Sequence, residues 1–226
     1  MTEEQEVIAV DGPAGSGKST VSKELAKRLD WDYIDTGAMY RCLCLKALQS
    51  SISVEDEDSL VDLLNDTTMR MSFKDDGLKV FMDGEDVSKD IRRNRVNQQV
   101  SKVAALPGVR EKLVEKQQAL GEEGKVIMDG RDIGTVVFPQ ARYKFYLDAT
   151  LDIRAQRRYN ELQQASEDVS FNSVVEEIEE RDATDRGRAS GPLKPAEDAC
   201  IIDTSDFTIE EVVEKIMEKI EAKQDA

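Results

Sequence analysis

The sequence has 226 residues, a formal net charge of -16 and no histidine. The length suits a single domain with an insertion, the charge argues against a basic surface for binding DNA or RNA, and the missing histidine excludes a Ser-His-Asp triad, a phosphohistidine and histidine-ligated zinc. Three cysteines without metal-like spacing, no run approaching the roughly 20 apolar residues of a membrane span and no signal-peptide pattern predict a cytoplasmic protein with free thiols and no membrane partner.

The first predicted elements are a buried strand and a helix joined by a glycine-rich loop. Residues 7–10 are a continuous apolar run, and apolar residues at helical spacing follow Lys18. The loop, residues 12–19, reads GPAGSGKS and matches the GxxxxGK(S/T) pattern of a phosphate loop. In that pattern backbone N–H groups at a helix N-terminus surround the phosphates, Lys18 reaches the terminal ones, and the Ser19 hydroxyl ligates Mg²⁺. We therefore predict a triphosphate site formed by Gly12, Pro13, Ala14, Gly15, Ser16, Gly17, Lys18, Ser19 and Thr20.

A second strand and a small antiparallel sheet are predicted next. Residues 31–35 form a short strand, and a helix over 38–48 brings Arg41 close to the carboxyl edge of the sheet, although an ordinary surface arginine is an equal alternative. The apolar period then changes to two over residues 67–88, with turns at Asp-Gly and Asp-Asp-Gly. This segment predicts an antiparallel insert on the substrate side.

The middle of the chain is predicted to carry two helices, with Ser101 on one over 94–105 and Arg110 on the next. A buried strand over 126–129 then ends in Asp129, at the position where phosphate-loop proteins place a magnesium-associated carboxylate. A simple Asp-Gly turn would also explain an aspartate here. Arg131 and Asp132 follow directly, and a turn requires neither of them.

The last third is predicted to contain two further strands, 143–147 and 200–203, and three helices. Arg157 and Arg158 lie on the helix over 152–164. Arg181, Asp185 and Arg188 have the spacing i, i+4 and i+7, which predicts a single helical face, whereas the competing interpretation is a solvated charged helix. The final helix begins with a capping box.

Five strands alternating with helices predict a parallel sheet whose carboxyl ends meet at one cleft. The arginines expected there exceed what one triphosphate needs, and they favour a second phosphorylated substrate. An acceptor phosphate is already an anionic nucleophile and needs no general base, which agrees with a chain that lacks histidine.

Four motifs together resemble bacterial cytidylate kinases: DGPAGSGKS at 11–19, DTGAMYR at 35–41, DGRDIGTVVFP at 129–139, and ERD at 180–182 continuing to Arg188. The resemblance spans nearly the whole chain. It implies an α/β fold of the three-layer α/β/α phosphate-loop class, with a five-stranded parallel sheet, an antiparallel insert and a helical lid. One kinase domain would comprise a core (about 1–35, 124–150 and 189–226), a nucleoside monophosphate-binding region (about 36–123) and the lid (about 151–188).

The resemblance implies transfer of the ATP γ-phosphate to CMP or dCMP. Ser101, Arg110 and Asp132 would contact cytosine, and a preference over UMP follows because uracil lacks the exocyclic amine. The remaining acceptor contacts would come from residues that hold its sugar and phosphate: Thr36, Arg41, Arg131, Arg181, Asp185 and Arg188. Thr36 stands where many members have serine, and the hydroxyl is retained.

On the donor side the resemblance implies ATP as co-substrate and Mg²⁺ as cofactor, with Ser19 as metal ligand and Asp129 acting through water. Arg157 and Arg158 would close over ATP. The residues expected to take part in phosphoryl transfer are Lys18, Arg131, Arg181 and Arg188. We expect a monomer, because no long apolar stripe is left unassigned.

Three other interpretations remain at this point. A GTPase switch would share the phosphate loop and the strand-end aspartate, but it should carry an NKxD motif, which is absent. A second alternative is another small-molecule or nucleoside monophosphate kinase, but the insert and the DGRD turn argue against it. A noncatalytic ATP-binding scaffold would not need the arginines.

Overall fold

The computed structural model describes residues 6–74, 77–122, 124–164 and 168–224. Its first half contains β1 (Val7–Asp11), α1 (Lys18–Leu29), β2 (Asp32–Asp35), α2 (Thr36–Gln49), α3 (Glu57–Asn65), β3 (Met69–Lys74), β4 (Gly77–Met82), β5 (Glu85–Asp86), α4 (Asn94–Asn97), α5 (Val100–Val103) and α6 (Pro107–Gly121). Its second half contains β6 (Val126–Gly130), β7 (Tyr143–Asp148), α7 (Leu151–Gln164), α8 (Phe171–Gly187), β8 (Cys200–Asp203) and α9 (Ile209–Gln224). A 3₁₀ turn covers Asp90–Arg92 and a π turn covers Ile133–Val137.

The central sheet has five parallel strands in the order β2-β6-β1-β7-β8. The prediction of an α/β fold with a five-stranded parallel sheet is confirmed. In the register, Asp11 is opposite Gly130 and Asp35 is opposite Asp129. The carboxyl ends of β1, β2 and β6 are therefore side by side, and the segments that follow them emerge at one edge of the sheet.

Strand β1 is buried on both faces because its residues alternate between two apolar clusters. Ile8 and Val10 pack with residues of α1 and α9, whereas Val7 and Ala9 pack with β6 and the π turn. This two-sided burial explains why β1 reads as an unbroken apolar run rather than an alternating one.

The antiparallel insert is also confirmed. Strands β3, β4 and β5 form a three-stranded sheet, with Met69 opposite Met82. The predicted turn at residues 75–76 lies outside the described residues. Phe73 of β3 contacts the ring of Tyr33 in β2 edge to face, with ring centroids 5.4 Å apart. The insert thus packs beside the edge of the central sheet.

Two sequence predictions about helices are wrong. Residues 94–105 were expected to form one helix, but α4 and α5 are separate short helices, and Gln99 between them has φ -107°, well away from the regular helical value. The valine spacing identified the buried face, since Val96, Val100 and Val103 are all buried. Arg188 was expected on the same helical face as Arg181, but α8 ends at Gly187 and Arg188 has extended backbone angles.

Candidate active site

The phosphate loop connects β1 to α1, as its sequence predicts. Gly17 precedes the helix with φ 86°, a backbone conformation that a side chain would strain. Lys18 folds back over the loop, where its Nζ donates to the carbonyl oxygen of Pro13 at 2.8 Å. Burial and the nearby Arg131 lower the pKa of Lys18. This lysine is therefore held in an electropositive pocket that favours an anion.

Asp129, at the end of β6, lies beside the start of α1. Its Oδ2 accepts a hydrogen bond from the Ser19 hydroxyl, and its Oδ1 accepts one from Tyr33 at 3.2 Å. The Thr36 hydroxyl donates to the backbone carbonyl of Asp129 at 2.8 Å. Burial, with a smaller contribution from Asp35, raises the pKa of Asp129 to about 6. The adjacent serine and carboxylate oxygens are the hard donors that Mg²⁺ prefers.

A buried ion pair joins α6 to the turn after β6. Arg110 donates through Nη2 to Oδ2 of Asp132, and neither side chain is more than 8% exposed. Burial raises the pKa of Asp132, although Arg110 opposes this. The ring of Tyr40 lies 5.9 Å from the Arg110 guanidinium. The Nε of Arg110 is buried and has no hydrogen-bond partner among the described residues.

Asp185 on α8 organises two further arginines. It accepts from Nε of Arg131 at 2.8 Å and pairs through its other oxygen with Arg188. Burial alone would raise the pKa of Asp185, but Arg131 and Arg188 together hold it below the ordinary value. Arg188 thus reaches Asp185 although it lies beyond the end of the helix.

Arg181 lies one turn before Asp185 on α8. Its Nε is buried without a hydrogen-bond partner in the described part of the chain. Burial and the neighbouring charges of Arg131 and Arg41 lower the pKa of Arg181 to about 9. A guanidinium crowded by like charges in this way is ready to bind an anion.

Arg41 projects from α2 beside Asp35. It lies 3.9 Å from Asp35 Oδ1, and its Nε donates to Asn97 at 3.4 Å. Asp35 also caps α2, accepting from the Ala38 backbone N–H at 3.0 Å, and its Oδ2 accepts from Arg92 at 3.2 Å. Asp35 therefore holds two arginines and the first turn of α2 at the same place.

Arg157 and Arg158 on α7 differ in their surroundings. Arg157 donates to the hydroxyl and the carbonyl of Thr204 at 3.0 and 2.6 Å, which places it beside Gly17 and the start of α9. Arg158 lines the cleft and pairs with Glu161.

These residues surround a single cleft of about 420 Å³. It is lined by most of the predicted site residues: Ala14, Gly15, Gly17, Lys18, Ser19, Thr20, Thr36, Arg41, Ser101, Arg110, Asp129, Arg131, Asp132, Arg158, Arg181, Asp185 and Arg188. Gly12, Pro13, Ser16 and Arg157 do not line it. The strand ends and most of the predicted arginines thus converge on one cleft, as the sequence predicts.

The sequence model of the family described as cytidylate kinase matches residues 8–222 of this chain. The chain belongs to the cytidylate kinase family. It is 52% identical over 213 residues to the cytidylate kinase of Caldanaerobacter subterraneus subsp. tengcongensis, covering 94% of this chain and 93% of that protein. It is 47% identical over 216 residues to the cytidylate kinase of Bacillus subtilis, covering 96% of each. Family membership disfavours the GTPase and scaffold interpretations.

One solved structure supports the fold alone. An uncharacterized protein from Eubacterium ventriosum aligns with a TM-score of 0.50 and 12% identity, over 97% of this chain and 99% of that one. No helix in the described ranges is long and apolar enough to cross a membrane.

The sequence motifs assigned no role to several residues that hold the side chains of this cleft in place. Asp35 holds Arg41 and Arg92, and Tyr33 supports Asp129. Arg92 could have been noticed, because residues 92–95 contain three arginines in an acidic chain. Tyr33 gave no signal, since an aromatic residue in a buried strand is ordinarily part of the core.

Proposed function

We propose that this protein transfers the γ-phosphate of ATP to CMP and dCMP, giving ADP with CDP or dCDP, by direct in-line transfer. The observation that carries the proposal is a single cleft lined both by a phosphate loop and by the buried Arg110–Asp132 pair. Cytidylate kinase family membership supports the same reaction. One half of the cleft suits a triphosphate and the other suits a planar base that needs both donors and an acceptor.

On the donor side, the phosphate loop and Lys18 bind the ATP phosphates, with Thr20 in the first turn of α1. Arg157 and Arg158 bind the donor from α7. The contact of Arg157 with Thr204 beside Gly17 supports this assignment, because it holds the guanidinium next to the loop.

In the proposed complex Ser19 and Asp129 would hold Mg²⁺, Asp129 through water. Their oxygens are already adjacent, and Tyr33 orients the carboxylate. When bound, the ion would neutralise charge on the phosphates.

On the acceptor side, Asp132 accepts from the exocyclic amine of cytosine, and Arg110 with Ser101 donates to its acceptor edge. The position of the buried Arg110–Asp132 pair in the cleft lining supports this assignment. Arg41 and Arg131 bind the acceptor phosphate, with Thr36 nearby. Asp185 and Arg181 face the sugar.

For the transfer itself, Lys18, Arg131, Arg181 and Arg188 stabilise charge on the moving phosphoryl group. The acceptor phosphate oxygen attacks without a protein base. Arg181 is the best-supported of the four, because burial and the nearby charges of Arg131 and Arg41 lower its pKa, and a bound anion would offset both effects. Positioning of two bound nucleotides supplies the remaining catalytic effect.

We also propose that the domain consists of the three expected parts, namely the core, the nucleoside monophosphate-binding region and the lid. A separate apolar cluster formed by residues between 38 and 113 supports the monophosphate-binding region, and a small cluster between α7 and α8 supports the lid. We propose a cytoplasmic monomer that binds nucleotides and no nucleic acid polymer.

The test is ADP production with ATP, Mg²⁺ and each nucleoside monophosphate in turn. We expect kcat/KM for CMP and dCMP to exceed that for UMP by roughly a hundredfold, since uracil presents a carbonyl where Asp132 needs a donor. AMP and GMP should be poorer still. Equal efficiency with UMP, or activity only with a non-nucleotide acceptor, would contradict the proposal.

A further inference from the structure

Asp11 is a buried carboxylate that the proposed reaction does not use. It is the last residue of β1, directly before the phosphate loop, and it is 4% exposed. Its contacts are with the turn after β6: Oδ1 accepts from the Ile133 N–H and Oδ2 from the Gly134 N–H, both at 2.8 Å. The residue before the donor loop therefore holds the backbone of a different loop.

The two peptide groups that Asp11 holds come directly after Asp132. They begin the π turn, whose first N–H groups have no partner within the turn itself. The carbonyl of Asp132 accepts from Val136 and Val137 in the same turn, at 2.9 and 3.2 Å. The backbone of Asp132 is thus fixed through its own carbonyl and through the following two amides, while its carboxylate faces Arg110.

A carboxylate is an expensive group to place here if its role is only to stabilise the turn. Burial raises the pKa of Asp11 to about 7 in spite of the two backbone hydrogen bonds. Above this pH the group is ionised, and the carboxylate then gives two equivalent acceptors, which an amide or a hydroxyl in the same place does not. Strongly perturbed acids of this kind are concentrated at functional sites.

We infer that Asp11 is a positioning residue for recognition of the acceptor base, acting through the peptide groups of residues 133 and 134 on the carboxylate of Asp132. This inference rests on the proposed role of Asp132 in binding cytosine. It means that the end of β1 controls both halves of the cleft: the chain beyond Asp11 forms the donor loop, and its side chain sets the acceptor turn.

The test is the ratio of kcat/KM for CMP to kcat/KM for UMP in Asp11→Asn. The amide keeps one acceptor and turns an NH₂ group toward the second N–H, so the turn should shift. We expect the ratio to fall about tenfold, with KM for ATP changed by no more than about twofold. A purely structural role would lower the melting temperature without changing the ratio.

A matched control is Asp148→Asn. Asp148 is also the last residue of a parallel strand, and its carboxylate also accepts a backbone N–H, that of Ala149 at 2.9 Å. It does not contact the turn after β6 in the described structure, so its substitution should leave the ratio unchanged. An equal fall in the control would contradict the inference.

A second variant approaches the same contact from the turn. An added Cβ at Gly134 would lie 3.4 Å from Asp11 Oδ2 and 3.2 Å from Lys144 Cδ. Gly134→Ala keeps the buried carboxylate. Its methyl group would only touch Asp11 Oδ2 but would crowd the Lys144 side chain, so the turn should shift slightly and the ratio should fall by less than in Asp11→Asn. This variant gives a result even if Asp11→Asn does not fold.

Asp132→Ala separates this inference from the proposed function. If Asp132→Ala leaves the ratio unchanged, the proposed base site is wrong. If it lowers the ratio but Asp11→Asn and Gly134→Ala do not, the inference alone is wrong. If the proposed base site and the inference are both correct, adding Asp11→Asn to Asp132→Ala should lower the ratio no further, because Asp11 acts only through Asp132. A raised KM for ATP alone would assign Asp11 to the donor loop and overturn the inference.

Discussion

Gly191 lies against the Arg110–Asp132 pair because it has no side chain. A Cβ at this position would collide with Nη2 of Arg110 and Oδ2 of Asp132, and the backbone has φ 59°, which also favours glycine. The segment after α8 therefore borders the proposed base site through its main chain.

Gly191→Ala should displace one member of that pair. We expect kcat/KM for CMP to fall roughly ten- to a hundredfold, since small displacements of positioning groups have effects of this size. Steady-state kinetics with CMP would measure it. Gly187→Ala is the control, because a Cβ there meets nothing within 4 Å. Equal activity of the two variants would contradict the prediction.

The raised pKa of Asp11 predicts a pH dependence of stability. In the folded state the Asp11 carboxyl group keeps its proton up to about pH 7, whereas in the unfolded chain it loses the proton near pH 3.8. Between these two pH values the folded state therefore binds more protons than the unfolded state. Stability from this group therefore decreases as the pH rises through that window. Between pH 5.5 and 7 the loss is at most about 2 kcal/mol.

Urea unfolding of the wild type and of Asp11→Asn at pH 5.5, 7 and 8 would measure this effect. Asparagine does not titrate, so the difference in unfolding free energy should change in favour of the variant as the pH rises, and it should level off above pH 7. A difference that is constant with pH would show that the carboxylate titrates normally.

At the scale of the elements, Arg154 connects the first turn of α7 to the phosphate loop and to α8. It donates to the carbonyls of Ala14 and Ala149 at 3.1 and 3.0 Å, and it forms a 2.8 Å ion pair with Asp182. Both charged side chains are about 5% exposed. The helix that carries Arg181 and Asp185 is thereby attached to the phosphate loop.

Asp182→Ala should destabilise the protein by about 3–5 kcal/mol, because it leaves the buried charge of Arg154 without its partner. Glu179→Ala on the exposed side of the same helix is the control and should change stability by less than about 0.5 kcal/mol. Urea unfolding of both variants would compare them. Similar losses would indicate that Arg154 finds another partner.

Most elements could be predicted from the sequence because their periodicity reflects one-sided or two-sided burial. This holds for β1, for the antiparallel insert and for α9, whose capping box forms through Thr208 and Glu211. The break between α4 and α5 could not be predicted, since valine spacing reports the buried face and not the continuity of the backbone.

The site could be predicted as a set of residues but not as a set of contacts. The motifs contain Asp11, Asp35 and Asp182, yet none of these received a role. The partners of Asp11 lie in a turn far along the chain, and Asp182 pairs with an arginine on another helix. Spacing within one segment carries no information about such pairs, whereas the topology of the sheet determines them.

At the scale of the whole molecule, the described residues form apolar cores of two different kinds. One apolar cluster is made of residues between 38 and 113, which are close together in sequence. The central sheet is built from distant segments: β1 pairs with β6 and β7, and Val7 is opposite Val126. Contacts between distant segments form slowly because a long loop must close first.

This difference predicts an order of folding. During refolding, the amides of α2 and α3 should become protected from hydrogen exchange before those of β1. Pulsed exchange on the intact chain would measure both sets. Simultaneous protection would indicate that the two cores form cooperatively.

The strand order has a consequence for synthesis on the ribosome. The phosphate loop is made before residues 126–148, and its strand has no partner in the sheet until those residues have followed. The motif therefore cannot take its place in the sheet until segments far along the chain have been made. An unfinished chain carries the complete motif without the sheet that would make it an ATP site.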